Sequence, residues 1–249
     1  MIDLHSHIVP GVDDGACSLE DALEMARMSA DSGVTILAAT SHGDLSQGDP
    51  GAYLRDYRKR LAMLRREIRL AGIRLKLAGG MEILLTGETL RYAERHRLPG
   101  LHGGNWILVE FVFDIPGSQA RKRLEFLDRQ GYQVILAHPE RYDFVQRDPG
   151  CLREIVGERM LLQVNKGSLQ GDFGGRAYRT ADWILGRGLA GIIASDGHDP
   201  VLRTPDLREV RELVELRYGR EAALDLLWRT PVRVLKDRGV DRDERFEHL

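Results

Sequence analysis

The chain begins with side chains that can bind metal ions. Asp3, His5 and His7 occupy alternate positions in "IDLHSH", and Asp13 and Asp14 follow a short turn later. In an extended strand alternate residues point to the same side, so two imidazoles can bind one ion while Asp3 orients one of them from behind. Asp13 and Asp14 are, on their own, also typical turn formers ahead of a helix. The first residues therefore predict metal-ion chemistry.

More side chains of the same kind recur at or just beyond the ends of apolar runs. They are His42, Glu82, Glu110, His138, Asn165, Asp196 and His198. Each one alone also fits a hydrogen-bonded or ion-paired core residue, but their common position favours a shared site. A set that mixes imidazoles and carboxylates suits zinc, manganese or iron and exceeds what one tetrahedral ion requires. We therefore expect two or three divalent metal ions.

The elements that must position these side chains follow from the hydrophobic pattern. Seven β-rich runs are "MIDLH", "VTILAAT", "RLKLAGGMEIL", "WILVEF", "YQVILAH", "MLLQVN" and "LAGIIAS". Helical patterns separate them, most clearly over residues 53–71, and this alternation predicts parallel strands with crossover helices. Seven such strands favour a distorted (β/α)7 barrel over an open sheet, although periodicity alone leaves both open. The carboxyl ends of barrel strands meet at one face, where active sites are built.

The rest of the chain sets broad limits. After Pro205 the pattern is helical, so we expect one domain over residues 1–249 with a helical tail at about 206–249. A net charge of -2 gives no reason to expect nucleic acid or an anionic membrane as partner, and no apolar run approaches the roughly 20 residues of a membrane span. Without a signal-peptide pattern, and with Cys17 and Cys151 as its two cysteines, the chain is expected to be cytoplasmic.

The motifs together resemble a known family. "MIDLHSHIVPGVDDGA", "TSH", "GMEI", "LVEF", "LAHPERY", "QVNKGSL" and "ASDGHD" occur in order over the first 200 or so residues. This set is similar to the polymerase-and-histidinol-phosphatase (PHP) superfamily, and most closely to its bacterial tyrosine phosphatases of capsule and exopolysaccharide gene clusters. The resemblance implies a distorted seven-stranded β/α barrel and hydrolysis of phosphotyrosine in a protein. The expected partner is a bacterial tyrosine kinase with a tyrosine-rich tail.

The resemblance also implies a role for each site residue. One metal would be held by His5, His7, Glu82 and Asp196, a second by Glu82 as a bridge with Glu110 and His138, and a third by Asp14, His42 and His198. Arg141 and Arg203 would hold the phosphate, because a planar charged fork matches phosphate oxygens. The nucleophile would be a metal-bound hydroxide, and Asp199 is a candidate general acid. Manganese is the expected metal, with iron or zinc as alternatives.

Other functions stay open at this point. A cysteine-dependent phosphatase is excluded, because the positions six residues after Cys17 and Cys151 hold Leu23 and Gly157 instead of arginine. The remaining alternatives are another PHP phosphoesterase acting on histidinol phosphate, a sugar phosphate or a nucleotide, an amidohydrolase, and a non-catalytic metal-stabilised scaffold. The acidic stretch after His42 and the unexpected Lys166 leave the substrate open, and oligomerisation is possible.

Overall fold

A computed structural model describes residues 1–43, 45 and 48–237 of the chain. Every pairing between its strands is parallel. The strands are β1 (Ile2–Asp3), β2 (Ile36–Ala39), β3 (His42–Gly43), β4 (Lys76–Gly79), β5 (Glu82–Leu84), β6 (Trp106–Glu110), β7 (Gln133–Ala137), β8 (Met160–Asn165) and β9 (Ala190–Ala194). The predicted parallel α/β alternation is confirmed.

Helices follow most strands and return the chain to the other end of the next strand. They are α1 (Leu19–Asp31), α2 (Pro50–Leu70), α3 (Gly87–Ala93), α4 (Gly117–Arg129), α5 (Asp143–Arg147), α6 (Lys166–Gln170), α7 (Gly174–Gly186), α8 (Arg208–Tyr218), α9 (Arg220–Leu224) and α10 (Thr230–Lys236). A π-helical turn, Asp225–Arg229, joins α9 to α10. Short 3-10 turns occur at Leu101–Gly103, Pro139–Arg141 and Pro149–Glu154.

Two of the predicted strands are interrupted. The second continues after Ala39 as β3, and the third divides into β4 and β5, so the strands form one sheet in the order β1-β2-β4 and another in the order β3-β5-β6-β7-β8-β9. Both interruptions fall at the same level, because pairing stops at Ala39–Gly79 and resumes at His42–Glu82. Residue Gly80 lies in this gap and donates its N–H to the Tyr57 hydroxyl of α2. The prediction of one continuous third strand was therefore wrong.

The ends of the first and last strands approach each other. Ser6 and Gly197 form a parallel bridge beyond β1 and β9. The Asp196 N–H donates to the His5 carbonyl oxygen at 2.9 Å, and the His7 N–H donates to the Gly197 carbonyl oxygen at 2.8 Å. These bonds hold the segment after β1 in an extended conformation, so its side chains keep the alternation that the sequence predicts.

Apolar residues pack on both sides of the strands. One buried cluster lies between the strands and the flanking helices, and the predicted stripe of α2 contributes Tyr57, Leu61, Leu64 and Ile68 to it. The Asp49 side chain accepts from the Gly51 N–H, and Pro50 occupies the first turn, which together start this helix. A second cluster, which we call the inner apolar cluster, joins alternate strand residues to α10 and includes Leu108, Ile135 and Ile192. Buried apolar area on both faces is what holds parallel strands together.

The helical tail begins as predicted, with α8, α9 and α10. Its predicted continuation beyond Asp237 falls on residues 238–249, which lie outside the described residues. Among the helices that the structure describes, none combines the length and the apolar character that crossing a membrane requires.

Candidate metal centre

The carboxyl ends of the strands bring nine sequence-predicted side chains into one cluster. We call this cluster the candidate metal centre, and its members are His5, His7, Asp14, His42, Glu82, Glu110, His138, Asp196 and His198. The parallel arrangement explains the convergence: Glu110 ends β6, His42 and Glu82 begin β3 and β5 just beyond the ends of β2 and β4, and the other residues follow the ends of β1, β7 and β9. Among them, His5, His7, Glu82, His138, Asp196 and His198 are buried.

Four of these side chains meet around one point. The Nε2 atoms of His5 and His7 are 3.2 Å apart. Glu82 Oε2 lies 3.2 and 3.3 Å from them, and Asp196 Oδ1 lies 3.4 Å from each. Ligand atoms about 2.1 Å from one tetrahedrally coordinated ion would stand about 3.4 Å from one another. The spacing therefore fits the first predicted ligand set.

Glu82 also connects this point to a second group. Its Oε1 lies 2.8 Å from His138 Nε2, while Oε2 lies 3.1 Å from His42 Nδ1. Glu110 Oε1 is 2.9 Å from His42 Nδ1, and Glu110 Oε2 is 3.9 Å from His138 Nε2. The buried Glu82 Oε2 thus lies within 3.3 Å of one nitrogen of each of three imidazoles, those of His5, His7 and His42. A carboxylate oxygen surrounded by imidazole nitrogens fits the donor set of a divalent cation.

The third group shares an imidazole with the second. His42 Nε2 lies 3.4 Å from Asp14 Oδ1, and His198 Nε2 lies 3.6 Å from the same oxygen. The rings of His7 and His198 contact each other with centroids 3.8 Å apart and planes tilted by 30°. His42 was expected in the third set alone, but its two nitrogens face two groups, so it stands between them.

The charges of the centre depend on one another. Burial raises the pKa of Glu82 and Asp196, but the charge on His5 and the neighbouring imidazoles together outweigh it, and both carboxyls end with lowered pKa values. Burial lowers the pKa of His42, yet hydrogen bonds with Glu110 and Glu82 raise it to about 10. Burial and the charge on His7 lower the pKa of His198 to about 4. Without metal, protons on His5, His7 and His42, whose pKa values are raised, balance the carboxylates, and a cation can replace those protons.

Residues behind the centre orient two of its rings. Gln163 Oε1 lies 2.9 Å from His5 Nδ1, and Asp13 Oδ2 lies 2.7 Å from His7 Nδ1. Asp13 Oδ2 also accepts the His42 backbone N–H at 2.8 Å. Such contacts set which ring nitrogen faces the ion. Asp13 is therefore more than a turn former.

Asp3 does not orient an imidazole, contrary to the prediction. Its Oδ1 accepts backbone N–H groups from His5 at 3.2 Å and from Ser195 at 3.1 Å. Burial raises its pKa to about 6. The reason is that Asp3 lies within β1, two residues before His5. At this level its carboxylate meets the backbone just after β9 instead of an imidazole.

Backbone geometry at the centre is unusual. His138 and Asp196 have φ values of 33° and 50°, a region that residues with a side chain rarely adopt. Gly15 allows the turn to return Asp13 and Asp14 to the centre, because a Cβ there would overlap the His7 carbonyl oxygen and Cβ. The Ala16 N–H donates to that oxygen at 3.0 Å. Backbone strain at candidate ligands indicates a functional site.

Two arginines border the centre at Asp196. Arg203 Nη2 lies 2.6 Å from Asp196 Oδ2, and Arg141 Nη1 lies 3.6 Å from it. The Arg141 guanidinium contacts two aromatic rings, 4.4 Å from the Phe113 centroid and 4.3 Å from that of Phe173. The sequence reasoning missed both phenylalanines. Their signal was weak, because Phe113 only follows a strand end and Phe173 lies in the stretch "GDFGG", which matches no motif with a known role.

Asp199 and Lys166 both hold the loop that carries Arg203. Asp199 accepts the backbone N–H groups of Val201 and Leu202, at 2.7 and 2.6 Å, and that of Arg203 at 3.1 Å. Burial raises the Asp199 pKa, but these three hydrogen bonds together outweigh it and leave the pKa lowered, which argues against a general acid. Lys166 is buried, and its Nζ donates to Thr204 Oγ1 at 3.0 Å and to the Asp206 carbonyl oxygen at 2.8 Å.

Fold and site together define an α/β protein whose parallel strands carry a candidate multinuclear metal centre at their carboxyl ends. The family of capsular polysaccharide synthesis proteins CpsB/CapC matches residues 1–236. The chain belongs to the CpsB/CapC family.

Known relatives agree with this membership. The chain is 30% identical to tyrosine-protein phosphatase YwqE of Bacillus subtilis over 89% of its length and 86% of the relative's. It is 28% identical to tyrosine-protein phosphatase CpsB of Streptococcus pneumoniae over 95% and 99% of the two chains. A chain from the crystal structures of YwqE and CpsB, described as unique metal-dependent tyrosine phosphatases, superposes with a TM-score of 0.85. It is 28% identical, and the match covers 97% of this chain and 96% of that one.

Proposed function

We propose that the protein is a metal-dependent protein-tyrosine phosphatase that hydrolyses phosphotyrosine by direct transfer of the phosphoryl group to water. One observation carries the proposal. Asp196 joins the two parts such an enzyme needs, because its Oδ1 faces the imidazoles of His5 and His7 while its Oδ2 faces Arg203 and Arg141. A phosphoryl group held by the arginines would therefore lie beside the metal ligands. The named activities of YwqE and CpsB support the same reaction.

Each part of the centre has a role in this proposal. The three groups around Glu82 and Asp14 would hold two or three divalent ions, with Glu82 as a bridge. Imidazole and carboxylate donors suit manganese, with iron or zinc as alternatives. Bound ions would lower the pKa of a water molecule and stabilise charge on phosphoryl oxygens. Asp13 and Gln163 keep the His7 and His5 rings in the orientation that this requires.

The arginines bind the substrate and the leaving group needs little help. Arg141 and Arg203 present charged forks to phosphoryl oxygens, and the Phe173 ring contacts both guanidinium groups and holds them in place. A tyrosine phenol has a pKa of about 10, so its phenolate departs without a dedicated proton donor. Asp199 then serves to hold the Arg203 loop, in agreement with its lowered pKa.

The architecture proposed for this site is a distorted (β/α)7 barrel in one domain spanning residues 1–249. The Ser6–Gly197 bridge supports closure, because it joins the extensions of the first and last strands. Counting β2 with β3, and β4 with β5, as single interrupted strands gives the seven strands of the barrel. Packing of α10 against the inner apolar cluster supports inclusion of the tail in the same domain.

The substrate class that we propose is a phosphotyrosine protein of capsule or exopolysaccharide synthesis, specifically a tyrosine kinase with a tyrosine-rich tail. The CpsB/CapC family supports this choice. We further propose that the protein acts in the cytoplasm, which agrees with its two free cysteines.

Turnover by metal-stripped and metal-restored protein tests the activity. The substrates are p-nitrophenyl phosphate and a tyrosine-phosphorylated peptide, beside histidinol phosphate, a sugar phosphate, an oligonucleotide and a simple amide. We expect the aryl phosphates to be hydrolysed, activity to disappear with chelator, and divalent ions, manganese above all, to restore it. Turnover of only histidinol phosphate, sugar phosphate or oligonucleotide would indicate another phosphoesterase, and turnover of only the amide an amidohydrolase. Absence of all turnover with bound metal would indicate a scaffold.

A further inference from the structure

An exposed aromatic ring stands at the edge of the candidate metal centre. The Phe113 ring meets that of His138 edge-on, with centroids 6.0 Å apart, and lies 4.4 Å from the Arg141 guanidinium. Nevertheless 42% of the residue remains exposed. One apolar side chain thus contacts a candidate metal ligand and a candidate phosphate ligand and still presents a free surface.

The backbone holds this ring in place. The Asp143 N–H donates to the Phe113 carbonyl oxygen at 2.9 Å, and the Ile115 N–H donates to that of Val112 at 3.1 Å. Just before them, the Phe111 N–H donates to the Tyr142 hydroxyl at 3.1 Å. A large apolar ring kept exposed by a tied-down loop, directly beside candidate metal and phosphate ligands, offers apolar surface where a substrate would lie.

Phe113 is not required merely to hold Arg141. The Arg141 guanidinium also lies 4.3 Å from the Phe173 ring centroid, and the Arg203 guanidinium lies 5.6 Å from the same centroid. Each of the two arginines therefore keeps an aromatic contact and its ion pair with Asp196 when Phe113 is removed. Holding the arginines therefore does not account for the exposed surface of Phe113, and this surface is free to contact a substrate.

We infer that Phe113 is a specificity-determining residue that packs against the phenyl ring of phosphotyrosine. This inference rests on the proposed phosphatase activity. A phosphoryl group between the arginines and the metal ligands carries its ester substituent out past this edge, and a phenyl ring there gains aromatic contact and buried apolar area. A phosphoserine side chain has no ring, so it gains neither. Phe113 thus selects aryl over alkyl phosphoesters.

The experiment compares the metal-loaded full chain with its Phe113→Ala variant. Kinetics are measured on two peptides of one sequence, phosphorylated on tyrosine or on serine, together with the inhibition constant of inorganic phosphate. Phe113→Trp tests rescue by another ring, and Leu216→Ala removes an exposed apolar residue of α8, away from the candidate metal centre, as control. Phe113→Leu repeats the test with a variant that keeps most of the apolar volume, should the alanine variant fold poorly.

We expect Phe113→Ala to lower kcat/KM for the phosphotyrosine peptide about tenfold, mainly through KM, which corresponds to about 1.4 kcal/mol. Phosphate inhibition and any phosphoserine turnover should stay within about twofold, because Phe173 still holds Arg141. Phe113→Trp should restore most of the loss, and Leu216→Ala should change nothing.

Two results would overturn the inference while leaving the phosphatase activity intact. One is an unchanged KM for the phosphotyrosine peptide in Phe113→Ala. The other is an equal weakening of phosphotyrosine, phosphoserine and inorganic phosphate, which would mean that Phe113 acts only through Arg141. If the wild-type chain leaves phosphotyrosine intact while hydrolysing another phosphoester, the proposed function fails, and the selectivity assigned to Phe113 fails with it.

Discussion

The strands carry two contrasting regions. One is the inner apolar cluster, which we call the floor, and the other is the candidate metal centre at the strand ends, which we call the mouth. On β6, Leu108 belongs to the inner apolar cluster while Glu110, two residues further, belongs to the candidate metal centre. On β9 the same step leads from Ala194 to Asp196. The floor gains stability from burial, whereas the mouth gathers buried charges and strained backbone at a cost. One strand thus serves stability at one end and chemistry at the other.

The largest effect should come from the mouth. Replacing Glu82 by Gln keeps the shape but removes the charge that lies against His5, His7, His42 and His138. We expect bound metal to fall and phosphatase turnover to drop about 10³-fold or more, since loss of even an outer-shell partner costs about 10–100-fold. Metal analysis and kinetics measure this. The exposed Glu88→Gln is the matched control, and an E82Q protein with full metal content would contradict the assignment.

A substitution in the floor should instead lower the stability of the protein and leave its turnover unchanged. Ile135→Ala opens a cavity in the inner cluster, so we expect the free energy of unfolding to fall by about 2–4 kcal/mol. Turnover per folded molecule should stay near that of the wild type, because the strand end at His138 keeps its contacts. Urea unfolding and active-site titration separate the two quantities. Ile135→Val should cost only about 0.5–1.5 kcal/mol, and a loss of metal binding in either variant would show that floor and mouth are not independent.

The sequence predicted the candidate ligands of the mouth better than the residues that hold those ligands and strands in place. Polar residues at strand ends stand out against apolar runs, and parallel strands bring them together whatever the exact pairing. Gln163, by contrast, lies inside an apolar run, and its contact with His5 depends on which strands become neighbours. The break at Gly80 likewise depends on the Tyr57 hydroxyl of a distant helix. Local pattern carries no information on such tertiary contacts.

Asp13 provides an intermediate test, because it touches the mouth without belonging to the predicted ligands. Asp13→Asn removes the negative charge 2.7 Å from His7 Nδ1, so the ring should lose both its preferred tautomer and some basicity. We expect metal affinity to weaken by about 10–100-fold, with kcat largely restored at saturating metal. Titration of stripped protein with metal measures this, and the exposed Asp56→Asn is the control. Unchanged affinity would reduce Asp13 to a turn former.

The smallest expected effect concerns the stability of the metal-free protein and its change with pH. The His42 pKa of about 10 lies above that of an unfolded histidine, about 6.5. The charged ring therefore stabilises the metal-free fold fully below pH 6.5, and this contribution is lost as pH rises through about 10. Because His42 is 38% exposed and solvent screens its ion pairs, we expect a loss of only about 1 kcal/mol.

Urea unfolding of chelator-treated protein between pH 7 and pH 10 measures this loss, and His42→Gln should reduce it. Metal-loaded protein provides the comparison, since a bound cation replaces the ring proton and leaves nothing to titrate. Equal pH dependence with and without metal would mean that the His42 proton and the cation do not compete for one place. The floor has no titrating group of this kind, so Ile135→Val should leave the pH dependence of both forms unchanged.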